Sequence, residues 1–322
     1  MRYRILITGG HGFVGKNLVG YLGKHLDHPD VQLLAPTRFQ LDLLDTDSIY
    51  DILDNFYPDC IVNLAATCGG IGANKDSPGR FMLDNLNINL NLINTLHNLR
   101  MYQIKLIQVG SICAYPKYCP PPFLEEDIWK GYPEETNAPY GIAKKTITEL
   151  LIAMNKQYGM KCVNLYPVNM YGPRDNFDLH TSHVIPAIIR KIDIAKEQND
   201  NSITLWGTGK ATRDFLYVKD FCRVIKLAIE KDPGPEPINL GSGSEYSIEE
   251  TANNICKIME YDGKIFWDDS QPDGQPRRCV SIQHAYDTLG YLPSTGLREG
   301  LEKTIAWFEK YKDDINDRCN YF

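Results

Sequence analysis

Tyr140 and Lys144, in "PYGIAKK", have the residue types and spacing that polarise a carbonyl group. At the start of a helix, residues four apart share one face. A phenol has an ordinary pKa of about 10, and a nearby ammonium favours its ionised form, which brings proton exchange closer to neutral pH. Tyr140 can then give a proton to a carbonyl oxygen as hydride reaches the carbon. Ser111, in "QVGSICAYPK", follows a segment that reads as a buried strand, where its hydroxyl can bond the same oxygen. Tyrosine and lysine meet at this spacing often by chance. Their order after Ser111 and after a glycine loop makes the set specific. Cys113 stands two residues beyond Ser111, and ketone reduction alone has no use for a thiol there.

The glycine loop is Gly9, Gly12 and Gly15, a G-x-x-G-x-x-G run directly after "YRILIT". Glycines there allow a tight turn and close approach of main chain to a pyrophosphate. The helix that follows, read as reaching about residue 27, offers free N–H groups and a partial positive charge. The second strand ends at "APTRFQLD". An NAD site usually places an acid there, about 20 residues on, against the ribose 2′-hydroxyl. This chain has Arg38, whose guanidinium suits a 2′-phosphate, so NADP(H) is the expected cofactor. Asp42 is placed to meet the adenine edge.

The elements that must position these residues follow from the hydrophobic pattern. "VQLLAPT", "DCIVNLAA", "IKLIQVGS" and "KCVNLYPV" are short apolar runs separated by helical segments near 46–56, 78–100 and 137–158. Such alternation predicts a doubly wound parallel α/β sheet of Rossmann type, covered on both faces. Beyond residue 171 the pattern loosens. "SHVIPAIIRKIDIAKE" reads as a helix, "SITLWG" and "RDFLYV" as short strands, "PINLGSG" as a further strand, and Ser247 with Glu250 as a capping box. The expected organisation is a dinucleotide-binding domain over 1–170, with a later return near 219–260, and a smaller mixed α/β substrate domain over 171–322. "CPPPF" and "EED" read as a surface loop. The segment 83–99 carries two apolar stripes, one through Leu83, Leu86, Leu90 and Ile93 and one through Ile88, Leu92, Leu96 and Leu99. Two stripes imply a second burial partner, either another subunit or a neighbouring helix; a homodimer is expected. The interspersed asparagines (85, 87, 89, 91, 94 and 98) read as a polar helix face.

Bulk properties narrow the class. The 322 residues suffice for a large core, and 43% hydrophobic with 23% charged residues is ordinary for a globular protein. A formal charge of −7 with no basic face argues against nucleic acid. No apolar run reaches the roughly 20 residues of a membrane span. The first strand begins too near Met1 for a secretory leader. The nine cysteines show neither CxxC pairs nor His–Cys metal spacing. They read as reduced thiols, mostly core fillers, in a cytoplasmic protein without a metal.

The order GxxGxxG, Ser111, Tyr140-x-x-x-Lys144 resembles the extended short-chain dehydrogenase/reductase family. Within it, "AATCGGIGAN", "CAYPK", "EETNAPYGIAKK", "YGPRDNF", "SHVIP", "RDFLYV" and "PDGQPRR" are similar to the GDP-L-fucose synthases, over nearly the whole chain. The resemblance implies 3,5-epimerisation and NADPH-dependent 4-reduction of a GDP-4-keto-6-deoxyhexose, and it gives Cys113 a task. Inverting a carbon beside a ketone needs a base on one face and an acid on the other. Cys113 as thiolate and His183 as imidazolium fall at those positions. It extends the cofactor surface to Phe13, Val14, Leu43, Ala65, Ala66, Val109, Pro167, Asn169, Met170 and His183. It places the GDP-sugar against Asn169, Lys191, Trp206, Arg213, Asp273 and Arg278. Three positions depart from the family pattern. Lys191 replaces an arginine, His11 stands where the glycine loop often carries Arg, and Ile112 replaces a small residue between Ser111 and Cys113. A colitose precursor or a heptose analogue would use the same machinery. A 4-epimerase or 4,6-dehydratase with bound NAD, and a non-catalytic dinucleotide-binding redox sensor, remain the alternatives.

Overall fold

The structure, a computed structural model, describes residues 3–26, 30–271 and 273–319. Pro272 of "PDGQPRR" and the far ends of both expected domains lie outside them. The first half of the chain forms β1 (Tyr3–Thr8), α1 (Phe13–His25), β2 (Val31–Leu34), α2 (Thr46–Phe56), β3 (Cys60–Asn63), α3 (Ile71–Asp76), α4 (Pro78–Asn98), β4 (Lys105–Val109), α5 (Ala138–Tyr158) and β5 (Cys162–Pro167). There follow β6 (Asn169–Tyr171), α6 (Val184–Gln198), β7 (Ser202–Trp206), β8 (Thr212–Arg213), β9 (Phe215–Tyr217), α7 (Val218–Glu230) and β10 (Pro237–Leu240). The chain ends with β11 (Tyr246–Ser247), α8 (Ile248–Ile258), β12 (Lys264–Asp268), β13 (Arg277–Arg278), α9 (Gln283–Leu289) and α10 (Leu297–Cys319).

Six strands make one parallel sheet in the order β10-β5-β4-β3-β1-β2. The order reverses between β1 and β3, so a crevice opens beyond their carboxyl ends, where sheets of this kind bind ligands. Alternate residues of each strand face opposite layers. Ile5, Ile7, Cys60, Val62, Val163 and Leu165 pack under α1 and α7. Leu6, Ile61, Leu106 and Cys162 pack under α2, α4 and α5. Both faces are apolar because both are covered.

After β5 the chain leaves this sheet. β6 pairs with β9, β7 with β12, and β8 with β11 and β13. These short pieces and α6, α8 and α10 surround a separate core that includes Ile188, Ile192, Ile255, Leu301 and Phe308. The segment that rejoins the large sheet is α7 and β10, ending at Leu240, and the chain touches it again through Val280 and α9. α8 buries Ala252 and Ile255 in the second core, so residues 248–258 do not belong to the expected return. Ser247 Oγ accepts from Glu250 N at 2.9 Å, the cap read from the sequence.

Two readings need correction. "CPPPF…EED" is not simply surface loop: Phe123 is fully buried, and Glu125–Trp129 is a short 3-10 helix. The α4 asparagines are not one polar face, because Asn85 and Asn89 are completely buried. Asn89 accepts from Asn63 Nδ2 at 2.8 Å and donates to Asn85 O at 2.6 Å, and Asn85 Nδ2 donates to Thr67 O at 2.8 Å. Asn63 is linked in turn to Thr8 Oγ1 and to Gln108 Oε1. This amide network ties the ends of three adjacent strands to α4.

Candidate active site

A cavity of about 1040 Å³ runs along the carboxyl ends of the parallel strands and under the second core. Every catalytic, cofactor and substrate position singled out from the sequence lines it. At one end, the turn after β1 closes with Gly12 N on Gly9 O at 3.0 Å. Gly9 has a φ of +65°, and a Cβ at Gly15 would lie 2.3 Å from Gly9 O. The loop therefore needs glycine for its shape, and it presents the open first turn of α1, with Phe13 and Val14, to the cavity. Arg38, four residues beyond β2, keeps 75% of its side chain exposed, and its only carboxylate neighbour among the described residues, Asp42, is 3.9 Å away. Asp42 also accepts from Leu44 N at 3.0 Å, which shapes the local turn. His11 Nε2 lies 3.1 Å from Ala35 O, which anchors the loop to the end of β2. Leu43, Ala65, Ala66, Val109 and Pro167 form the walls; Asn169 and Met170 on β6 stand at the junction with the second core.

The residues expected to carry the reduction converge in the middle. Ser111 follows β4, and its hydroxyl accepts from Cys113 N at 3.2 Å. The resulting turn of 3-10 helix buries Ile112 in the core, 3% exposed, so Ile112 does not stand between the two side chains. Tyr140 and Lys144 share one face of α5. Lys144 Nζ donates to Val109 O at 2.9 Å and lies 5.7 Å from the centre of the Tyr140 ring. Burial pulls the Lys144 ammonium down to about 8. The Tyr140 phenol opens on the cleft yet is densely surrounded by protein. Burial and the neighbouring Cys68 and Cys113 thiols push it well above its usual pKa, and Ser111, by hydrogen bonding, offsets part of this. The sequence reading expected the lysine to lower the phenol. Its ammonium is instead engaged by a main-chain carbonyl, and desolvation dominates. A phenol held protonated is a proton donor.

Cys113 and His183 reach the cleft from different elements. His183 stands at the amino end of α6 and is accessible from the cavity. Burial, and then the charge of Arg278, push its pKa below the usual imidazole value, so in the open cleft the ring tends to be neutral rather than the imidazolium expected from sequence. Arg278 and Arg213 are direct partners in the β13–β8 pairing and both are 7% exposed. Arg213 donates to Gln275 O and Thr212 O at 2.7 Å and to Asp273 O at 2.9 Å. Burial and Arg278 pull the Arg213 guanidinium down to about 9. Asp273 spends both carboxylate oxygens on Thr208, at 2.7 Å each. Lys191 Nζ donates to Thr204 O at 2.7 Å and its pKa is lowered by burial. Trp206, at the end of β7, leaves 50% of its surface open as a flat wall.

Sequence reasoning missed several groups here. Cys68 opens on the cleft, beside Tyr140 and Lys144. Of the eight cysteines at 60, 68, 113, 119, 162, 222, 256 and 279, four (Cys60, Cys162, Cys222 and Cys256) are buried fillers. Next to Cys68, Asp175 has a carboxyl oxygen without a partner, and burial raises the group to about 8. Glu134 is 6% exposed; burial would raise it, but hydrogen bonds from Thr136 and Asn137 and the charge of Arg278 hold it below the usual range. Gln275 is 2% exposed between the two arginines. Cys68, Glu134 and Gln275 lie inside "AATCGGIGAN", "EETNAPYGIAKK" and "PDGQPRR", and that location was their only signal.

Residues 5–241 match the NAD dependent epimerase/dehydratase family. The GDP-L-fucose synthase of Sinorhizobium fredii is 37% identical over 314 residues, covering 98% of this chain and 97% of the relative. A GDP-6-OMe-4-keto-L-xylo-heptose reductase from C. jejuni superposes with a TM-score of 0.88 at 25% identity, over 96% of this chain and 98% of that one. A GDP-L-fucose synthetase from Naegleria fowleri, solved bound to NADP, gives 0.85 at 26% identity, over 97% of this chain and 96% of that one. With its glycine loop, its six-stranded parallel sheet and full-length similarity of this degree, the chain belongs to the NAD dependent epimerase/dehydratase family, in the branch that contains the GDP-L-fucose synthases.

Proposed function

We propose that this chain is a bifunctional 3,5-epimerase and 4-reductase that converts GDP-4-keto-6-deoxy-D-mannose, or a close GDP-keto-sugar, to the reduced 6-deoxyhexose, GDP-L-fucose in the first case. The observation that carries the reading is a single cavity that holds both a reductive set (Ser111, Tyr140, Lys144) and a thiol and imidazole (Cys113, His183). A simple reductase needs only the first set.

The cofactor fit rests on the glycine cradle, which any side chain at Gly9 or Gly15 would fill, and on the open Arg38 guanidinium, which suits a 2′-phosphate. NADPH, when bound, supplies the hydride for the ketone carbon. Ala65, Ala66, Val109, Pro167 and Met170 would line its nicotinamide end. Arg213, Arg278 and Lys191 meet the diphosphate by charge-assisted bonds, and Trp206 lies against the nucleotide. Asn169 and Asp273 border the sugar.

The chain's own chemistry then runs in two stages. Ser111 and Tyr140 hold the C4 oxygen. Cys113 as thiolate takes a proton from the carbon beside the ketone: the C–H bond breaks, S–H forms, and the electron pair moves to the oxygen that Ser111 and Tyr140 stabilise. His183 returns a proton to the opposite face. A diphosphate facing Arg278 offsets the second of the two causes that lower the imidazole, the charge that adds to burial, and so shifts His183 toward the acid form needed here. Between the two inversions Cys113 gives up its new S–H proton to solvent and His183 takes one up, which restores the base and the acid. Tyr140 then gives its phenolic proton to the C4 oxygen as the ketone is reduced, and the Lys144 ammonium stands 5.7 Å from the centre of the ring left as phenolate.

A homodimer fits the α4 surface. Leu83 is 59% exposed, and Leu86 and Leu90 are half-buried on the same stripe. The reduced thiols suit the cytoplasm. No helix among the described residues is long and apolar enough to cross a membrane.

The experiment is a set of GDP- and other nucleotide-linked 4-keto sugars assayed with NADPH and with NADH. Stoichiometric NADPH oxidation on a GDP-4-keto-6-deoxyhexose, with inversion at C3 and C5 in the product, is expected. Redox-neutral turnover would point instead to a 4-epimerase or dehydratase, and binding without turnover to a dinucleotide sensor.

A further inference from the structure

The buried Gln275 side chain connects three parts of the site. Its Nε2 donates to Pro116 O at 3.1 Å and to Lys117 O at 2.9 Å, in the turn that follows Cys113. Its Oε1 accepts from Arg278 Nε at 2.9 Å, and its main-chain carbonyl accepts from Arg213 Nη1 at 2.7 Å. Both ends of the amide are satisfied, so its orientation is fixed. The Arg278 main chain is fixed as well, because its carbonyl accepts from Asp214 N at 2.8 Å. With Nε tethered to Gln275, the planar guanidinium aims Nη1 at Cys113 Sγ, 3.7 Å away. That is hydrogen-bond distance for a sulfur acceptor. The guanidinium keeps further N–H groups for a substrate oxygen.

We propose that Arg278, aimed by Gln275, is the hydrogen-bond donor that holds Cys113 as a thiolate, which makes Arg278 a catalytic group of the epimerisation and Gln275 its positioning residue. This rests on the assignment of Cys113 as the base. It adds to the phosphate contact that the family resemblance gives Arg278. A thiolate in a cleft is favoured by an opposite charge held at hydrogen-bond distance, and the Arg278 guanidinium stands there, 3.7 Å from the sulfur. Arg213, whose donors among the described contacts go to main-chain carbonyls, and the Tyr140 phenol, which is near Ser111, also bear on the sulfur, while the Glu134 carboxylate and the His183 ring face the Arg278 charge. During proton abstraction Arg278 neither gives nor takes a proton. The charge it faced leaves the sulfur as S–H forms and the C–H pair passes to the ketone oxygen.

The test uses the free enzyme and needs no substrate. Wild type, Arg278→Met, Arg278→Lys and Gln275→Leu are treated with iodoacetamide at neutral pH, and alkylation of the Cys113 and Cys68 peptides is followed by mass spectrometry. NADPH titration checks that each variant is folded. Cys113 labelling is expected to slow about tenfold in Arg278→Met, the effect of losing a charged hydrogen bond to the nucleophilic form. It is expected to recover to within about threefold of wild type in Arg278→Lys, and to slow severalfold in Gln275→Leu, because the guanidinium is then unaimed. Cys68, which also opens on the cleft, reports any general loosening and should change less than about twofold. Wild-type or faster Cys113 labelling in both Arg278→Met and Gln275→Leu would overturn the proposal. Should Arg278→Met not fold, Gln275→Leu with Arg278→Lys decides. Loss of the labelling contrast leaves the epimerase reading intact, whereas that reading fails only on substrate exchange, so the two failures are distinct.

Discussion

Adding one methyl group at Gly15 separates the demands of a cofactor cradle from those of an ordinary helical turn. A Cβ there would lie 2.3 Å from Gly9 O, 2.5 Å from Gly10 Cα and 2.6 Å from Gly10 C, all main-chain atoms that cannot rotate away. Ordinary contact begins at 3.4 Å, so the loop and α1 must part by about 1 Å. Overpacking of this kind costs about 1–3 kcal/mol of stability. The same displacement moves the N–H groups of the first helical turn away from a bound pyrophosphate. Losing one or two bonds to charged oxygen, at about 1.5 kcal/mol each, weakens NADPH binding about ten- to a hundredfold. Gly20 in the same helix is the control. It is exposed, with nothing within 4 Å of an added Cβ. Gly20→Ala should stabilise the helix by up to about 1 kcal/mol and leave NADPH affinity unchanged. Fluorescence titration of NADPH and thermal unfolding of both variants give the two numbers. Wild-type NADPH affinity in Gly15→Ala, or equal losses in both variants, would refute the assignment of this turn as the cofactor cradle.

Three further outcomes follow from the same geometry. Burial holds the Lys144 ammonium at about 8, so its charge is present below that pH and lost above it. Ketone reduction should therefore decline as pH rises through about 8, and Lys144→Met should reduce it at least about a hundredfold at neutral pH; a flat profile measured under single-turnover conditions contradicts this. Asn89→Leu leaves buried amide partners unsatisfied and should cost about 1–3 kcal/mol in denaturant unfolding, while the exposed Asn94→Ala should stay within about 0.5 kcal/mol; equal effects would return both to a polar helix face. Leu83→Glu combined with Leu90→Glu should convert a dimer to a monomer in sedimentation velocity, and a wild-type protein that sediments as a monomer would remove the dimer from the account.

Strand positions of the large sheet were legible because burial on both faces leaves short apolar runs such as "CIVNLAA", broken only by Asn63, and its helices because their apolar spacing is regular. The glycine loop and the Tyr140–Lys144 pair were legible because their chemistry depends on local spacing. Contacts that join distant segments were not. Nothing near Asn89 in the chain announces Asn63, 26 residues away, and the α4 asparagines look alike until Asn85 and Asn89 are seen to be buried against the strand ends. Gln275 looks like a loop residue, yet it lies against Pro116, 159 residues earlier. The directions in which burial pushes Tyr140 and His183 were not legible for a related reason. Spacing gives the neighbouring lysine or the helix end, but desolvation depends on everything that folds around the group. Of the return read near 219–260, the part beyond Leu240 was not separable in the sequence, because α8 is buried by α6 and α10, which lie elsewhere in the chain.

The most direct measurement follows deuterium from heavy water into carbons 3 and 5 of a GDP-4-keto-6-deoxyhexose, by mass spectrometry and NMR, with wild type and Cys113→Ser. Wild type should incorporate deuterium at both carbons. Cys113→Ser should bind NADPH normally and leave both carbons unlabelled. Incorporation at the wild-type rate in that variant would mean that the thiol is not the base, and the epimerase half of the assignment would fall.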